Sequence, residues 1–319
     1  MKTIFGKILY VVMMLFIIAV ISFLAIHAAP NSFFASGELN PNITKESIEH
    51  LKQIYGLDKP LHEQFVSWIW AIMHLDFGIS FASGKTVKDE ILERLPITLI
   101  INITSMVVVF FLSVYFGIKS ALNQDKLLDR IVKQFSLLSF ALPSFYLALL
   151  LIIIFSVNLE WFPISGLNSI EEKVGSAKIL DEAWHLILPI FVMVFGGIGS
   201  LMMYVRSLTN DILKSDYIFF AKARGLSEKV ILKKYILPNI YPPIITILGL
   251  SLPGLIGGSV ILESIFSING MGLLFYQSAL SRDYPVIMGI LIISAFLTLI
   301  GNIIADMILL KINPFFKNS

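Results

Sequence analysis

The chain of 319 residues contains no cysteine. Disulfides and thiolate chemistry are therefore excluded, and thiols say nothing about redox compartment. Charge is scarce as well. Asp, Glu, Lys and Arg make up 14%, against about 25% in soluble domains. Apolar residues supply 56% and the mean hydropathy is +0.83. A soluble core could not conceal that much apolar surface, whereas lipid accepts it. The net charge of +2 is too small to point to nucleic acid. Neither an internal repeat nor a low-complexity segment is visible.

Enzyme signatures are missing too. The stretch from Gly78 to Thr86 resembles a phosphate-binding loop, but five residues separate Gly78 from Gly84 where that loop needs four. A flexible surface turn is the expectation there. His62-Glu63 is followed by Phe65 and Val66, so no second histidine sits one helical turn on to complete a zinc site. No metal ligand set is expected, and no Ser/His/Asp arrangement is apparent.

What the sequence has is long apolar runs. A bilayer needs about 20 mostly apolar residues per helix. Six stretches qualify: 8–28, 96–120, 135–157, 186–205, 240–262 and 286–310. The fourth contains Pro189 and the run Gly196-Gly197-Ile198-Gly199, which should interrupt it. The first has a basic start at Lys2 and Lys7, but its core is too long for a signal peptide. It is expected to be retained. The fold class is thus all-α, a polytopic membrane protein of about six spans. With the N-terminus inside, fifteen basic residues fall inside and nine outside, so both termini are expected on the cytoplasmic side. The organisation then reads as a first helix over 1–29, an outer segment over 30–95, a membrane core over 96–311 and a tail over 312–319. The outer segment should hold a helix near 44–55 and an apolar-periodic stretch with Phe65, Trp68, Ile69 and Ile72.

The largest inner loop, expected over 206–239, carries seven basic residues. Leu213, Tyr217, Phe220 and Ala221 fall on one helical face. Gly225 suits a left-handed C-terminal cap. Ser227 can cap a second helix, with Glu228 in its first turn. Val230, Ile231, Tyr235 and Ile236 make that helix apolar on one side, and Pro238 should stop it. A helix–turn–helix with an apolar ridge and a basic flank suits a groove on a partner. A basic loop that only fixes topology fits the same pattern.

Here the sequence resembles the ABC importer permeases. Their cytoplasmic loop reads E-A-A, three residues, Gly, nine residues, Ile-x-Leu-Pro. Phe219, Phe220 and Ala221 take the first three places, Gly225 the glycine, Tyr235 the isoleucine, and Leu237-Pro238 the last pair. The peptide/nickel branch is closer: its D-Y-V-x-x-A-R-A-K-G-L is similar to DYIFFAKARGL over 216–226. Further matches follow in order. They are YGLDKPLHEQFVSWI over 55–69, Leu75-Asp76-Phe77-Gly78-Ile79-Ser80, Arg94-Leu95-Pro96-Ile97-Thr98-Leu99, Glu263-Ser264-Ile265-Phe266-Ser267 with Gly270, and Arg282-Asp283-Tyr284-Pro285. Asn269 departs from the family by replacing a proline.

The resemblance implies a bacterial inner-membrane subunit that forms half of a translocation pathway. Its partners would be a second homologous permease, two cytoplasmic ATPases that bind the ATP, and an extracytoplasmic substrate-binding protein. The chain itself would hold no cofactor and catalyse nothing. The cargo would be di- or oligopeptides, or else nickel or a metal chelate. The implied ATPase-coupling residues are Asp216, Tyr217, Ala221, Ala223, Gly225, Leu226, Tyr235, Leu237, Pro238 and Asn239. Polar residues inside the spans, Asn102, Ser139, Ser144 and Asn302 among them, are candidates for the path, although interhelical hydrogen bonding explains them equally. An ion-coupled secondary transporter or a membrane scaffold is the rival class. It would leave the patterned loop unexplained, and the duplicated halves common in such transporters are not visible.

Overall fold

A computed structural model of the chain describes residues 4–28, 59–171, 173–251 and 259–312. The expected helix near 44–55 lies outside them. Among the described residues the fold is all-α, with one isolated antiparallel bridge between Ile79 and Thr86. The helices are α1 (Ile4–Ala28), α2 (Leu61–Met73), α3 (Val87–Leu122), α4 (Leu127–Ala141), α5 (Ser144–Leu151), α6 (Ser176–Leu213), α7 (Asp216–Ala223), α8 (Glu228–Ile231), α9 (Leu237–Ser251), α10 (Val260–Ile265), α11 (Met271–Ser281) and α12 (Tyr284–Ile312). Wide π-helical turns over Ile152–Asn158 and Leu232–Ile236 extend α5 and join α8 to α9.

Three described helices are long and apolar enough to cross a bilayer: α3, α6 and the 284–304 part of α12. At 36 and 38 residues, α3 and α6 reach about 54 and 57 Å at 1.5 Å per residue. That exceeds the roughly 30 Å hydrocarbon core, so each helix carries polar turns beyond it. The third expected span, 135–157, is not one straight helix. The α4 and α5 segments meet at a bend of 98°. Pro143 causes it, by forcing Leu142 out of the helical region to φ −86°, ψ 119°. The fourth expected span differs the other way. Pro189 and its glycines lie within the unbroken α6.

Those glycines serve packing. A Cβ on Gly199 would sit 2.7 Å from the Ser136 carbonyl oxygen and 2.8 Å from Ser139 Oγ. On Gly117 of α3 it would sit 2.8 Å from the Met202 carbonyl oxygen. Lipid offers little hydrophobic drive between helices, so spans associate through close backbone approach at small residues.

The described residues fall into two compact units, one within Met1–Pro96 and Gly270–Ile300, the other within Ile97–Asn269 and Gly301–Ser319. In the first, Phe65 and Trp68 of α2 meet Phe23 of α1, with ring centroids 5.2 and 5.8 Å apart. Phe65, Trp68, Ile69 and Ile72 are the half-buried stripe that their spacing predicts. In the second, one core gathers Ile101, Leu147, Val192, Phe195 and Phe266. Another gathers Ile118, Val205, Ile218, Ile231 and Ile240.

Candidate functional site

The candidate loop begins later than expected. Arg206 lies in α6, which runs on to Leu213 and ends at Lys214. Ser215 then takes an extended conformation, φ −74°, ψ 149°. Its hydroxyl donates back to the Ile212 carbonyl at 2.5 Å rather than capping α7. Asp216 opens α7 in the first turn, where a carboxylate complements the helix dipole. This break resets the helical register. Leu213 therefore does not share a helix with Tyr217, and the expected face is divided: Leu213 and Ala221 join the inner core, while Tyr217 and Phe220 are exposed. Ile218 and Ala221 are buried, at 0% and 4% exposure, while Phe219 and Phe220 are exposed, at 69% and 63%. Tyr217 is exposed as well. The buried pair packs with Ile231, Ile236 and Ile240.

The end of α7 follows the sequence closely. Gly225 takes φ +75°. Its N–H donates to the Lys222 carbonyl at 2.9 Å, and the Leu226 N–H donates to the Ala221 carbonyl at 3.2 Å. These are the two bonds of a Schellman cap. Leu226 then packs against the core that holds Ala221, as that motif favours. Ser227 does precede α8, at φ −67°, ψ 151°, but its side chain makes no capping bond. Its carbonyl accepts from Val230 and Ile231 instead.

Pro238 does not stop the second helix. The chain continues from α8 through the wide turn Leu232–Ile236 into α9. Proline lacks an N–H and its ring crowds the carbonyl four residues back. Widening the turn before it moves that carbonyl aside, a recognised way of passing proline along a helix. The turn also aims Tyr235 at Tyr217, their rings stacked at 6.4 Å. Asn239 Nδ2 donates to the Tyr235 carbonyl at 2.6 Å. Leu237 joins the buried core, whereas Ala223, Pro238 and Asn239 remain exposed. The loop thus presents aromatic side chains from one short helix, held from behind by a small isoleucine-rich core.

The family model described as "Binding-protein-dependent transport system inner membrane component" matches residues 113–318. The chain belongs to this family. It is an ABC importer permease, a multi-pass inner-membrane protein that works with further subunits of an ABC transporter. Residues 1–102 match the model for the N-terminal part of such membrane components. The permease is 38% identical over 298 residues to the oligopeptide transport system permease protein AppB of Bacillus subtilis, covering 93% of each chain. It is 32% identical over 315 residues to OppB of Haemophilus influenzae, an oligopeptide permease, covering 98% of each. The dipeptide permease DppB of Lactococcus lactis is 32% identical over 301 residues, with 94% of each covered. A solved inward-facing structure of the MetNI methionine ABC transporter shares the fold, with a TM-score of 0.53 at 16% identity. The match covers 70% of the permease and 96% of that chain.

Of the four path candidates of the permease, Ser139 and Ser144 meet α6 at the adjacent residues Phe195 and Gly196. Asn102 is buried and donates to the Thr98 carbonyl at 2.8 Å and to Ser259 Oγ at 3.1 Å. Ser139 is buried and donates to the Phe195 carbonyl. Both tie helices together. Ser144 is exposed and Asn302 half-buried. The residues that sequence spacing missed form tighter clusters. Glu263, 1% exposed, accepts from Thr98 Oγ1 at 2.8 Å and from Ser259 Oγ at 2.7 Å. Two motifs of the family resemblance thereby meet.

Asp129, fully buried, holds another cluster. Arg206 grips it with two bonds of 2.6 and 3.0 Å, Lys133 stands at 2.8 Å, and Ser120 donates to it. This carboxylate joins α3, α4 and α6 beside the loop. Only its i,i+4 spacing to Lys133 was visible in sequence.

The glycine-rich stretch at 78–86 has its own explanation. The N–H groups of Phe81 and Ala82 donate to the Asp283 carboxylate at 3.1 and 3.0 Å, and Ser80 Oγ does so at 2.5 Å. The anion cradled by this loop is the chain's own aspartate.

Proposed function

We propose that the permease forms half of the pathway of an ATP-driven peptide importer, and that residues 216–239 dock a separate cytoplasmic ATPase. The observation that carries the docking is the arrangement of α7. Its apolar side is divided: Ile218 and Ala221 anchor the element to the permease, and Tyr217, Phe219 and Phe220 stand outward. Exposed aromatics clustered on a rigid helix are what a partner's groove takes as anchors. The peptide cargo is supported by the full-length relatives, which are named as oligopeptide and dipeptide permeases. On this reading ATP is bound and hydrolysed in the ATPase pair, a second homologous permease completes the pathway, and a binding protein delivers cargo to the outer face. Both termini lie in the cytoplasm, and the chain holds no cofactor of its own.

The test is to express the permease with the subunits encoded beside it, isolate the complex, and reconstitute it in vesicles with ATP inside. Copurification of an ATPase and ATP-dependent accumulation of labelled di- or oligopeptide are expected. Accumulation driven by an ion gradient without any ATPase would move the chain to the secondary-transporter class. ATP-dependent accumulation of nickel but not peptide would overturn the cargo alone.

A further inference from the structure

The α3 helix leaves an apolar groove that the docking reading does not use. On one side are Phe110, Val114, Ile118 and Leu122, a stripe spaced four residues apart along α3, and on the other Leu232 and Leu237. The cavity holds about 430 Å³. From Phe110 to Leu122 it runs for roughly 18 Å at 1.5 Å per residue, close to the roughly 15 Å depth of one leaflet's hydrocarbon. The groove is therefore leaflet-deep, long enough to take an extended acyl chain.

Its polar end is equally specific. Lys119 stands at the rim with its ammonium 4.4 Å from the centre of the Tyr115 ring, donating to the Tyr115 hydroxyl. Lys119 is exposed, and no carboxylate pairs with it among the described residues. Lys233 and Lys234 follow the lining residue Leu232 directly, and both are exposed. Tyr241 also lines the groove, and tyrosines favour the headgroup level of a membrane. An apolar slot whose lining carries a cation among tyrosines is complementary to a lipid with a negative headgroup.

We propose that this groove binds an anionic phospholipid, with an acyl chain between α3 and the start of α9 and its phosphate on Lys119. The lipid would bridge a membrane span and the turn that follows α8, so membrane composition would act on the loop itself.

The test uses the permease complex with its partner subunits, isolated in mild detergent and examined by native mass spectrometry. Phosphatidylglycerol and phosphatidylcholine with identical acyl chains are the probes, and inorganic phosphate is the competitor. The parent should retain phosphatidylglycerol about fivefold better, the value of one interfacial lysine. Lys119→Gln, a surface change, should abolish that preference while leaving acyl-chain retention. Val114→Trp, which fills the slot, should lower retention of both lipids. Equal retention of the two lipids by the parent would overturn the proposal, and so would a preference that survives both variants. Displacement by inorganic phosphate would overturn it in favour of a free-anion site. Loss of the second permease in Val114→Trp with unchanged lipid would show the groove to be a subunit interface.

Discussion

Two single residues carry strong expectations. Gly225 holds φ +75° with no atom within 4 Å of a would-be Cβ. Space is thus not its constraint; backbone conformation is. A non-glycine residue in the left-handed region costs roughly 1–2 kcal/mol, and asparagine least. Gly225→Asn should therefore keep most of the ATPase that copurifies, whereas Gly225→Val should lose it several-fold with membrane insertion unchanged. Immunoblots of membranes and of the pulled-down complex check both. Asp283 is the second. It is 1% exposed and takes three hydrogen bonds from the 80–82 turn. Asp283→Ala would leave the buried Ser80 hydroxyl without its acceptor, at about 1–3 kcal/mol, and would release the two N–H groups that hold the turn. The Tm of the isolated permease should fall by several degrees, and proteolysis at Lys85 should quicken. An unchanged melting curve and cleavage rate would mean that the turn holds its shape without the carboxylate.

At the level of the element, the docking proposed for α7 is separable from its folding. Its inner residues, Ile218 and Ala221, form a core that the loop needs in water, where each buried isoleucine is worth about 1.5–3 kcal/mol. Ala221→Asp should therefore loosen the loop itself, seen as faster hydrogen exchange over 216–239. Phe219→Ala with Phe220→Ala should leave exchange as in the parent, yet weaken ATPase copurification tenfold or more, as truncated anchor residues do. If the double variant bound the ATPase fully, the exposed aromatics would not be the anchors. Apolar length was enough to find the long helices α3, α6 and α12, and the glycine cap was legible because so few residues accept positive φ. The facing of α7 was not, because Ser215 resets the register between Leu213 and Tyr217. Nor was the continuation through Pro238, which depends on a wide turn that periodicity does not reveal. The Asp129–Arg206 clamp joins residues 77 apart in sequence, a distance at which no local pattern reports contact.

For the whole molecule the expectation is six crossings with both termini inside. The chain's lack of cysteine makes single-cysteine labelling clean. A membrane-impermeant thiol reagent on intact cells should label Ser47→Cys and spare Ser319→Cys; the reverse pattern would invert the orientation. The 98° bend between α4 and α5 turns this experiment into a question of parity. A bent pair that passes through the bilayer adds one crossing, and a pair that dips in and returns adds none. With one fewer crossing, the same fifteen-to-nine basic bias is met by placing the N-terminus outside and residues 30–95 inside. Residues 206–239 and the C-terminal tail stay inside under either count. Odd or even is therefore written only upstream of the bend, and the label on Ser47→Cys reports whether the chain goes through the membrane at Pro143.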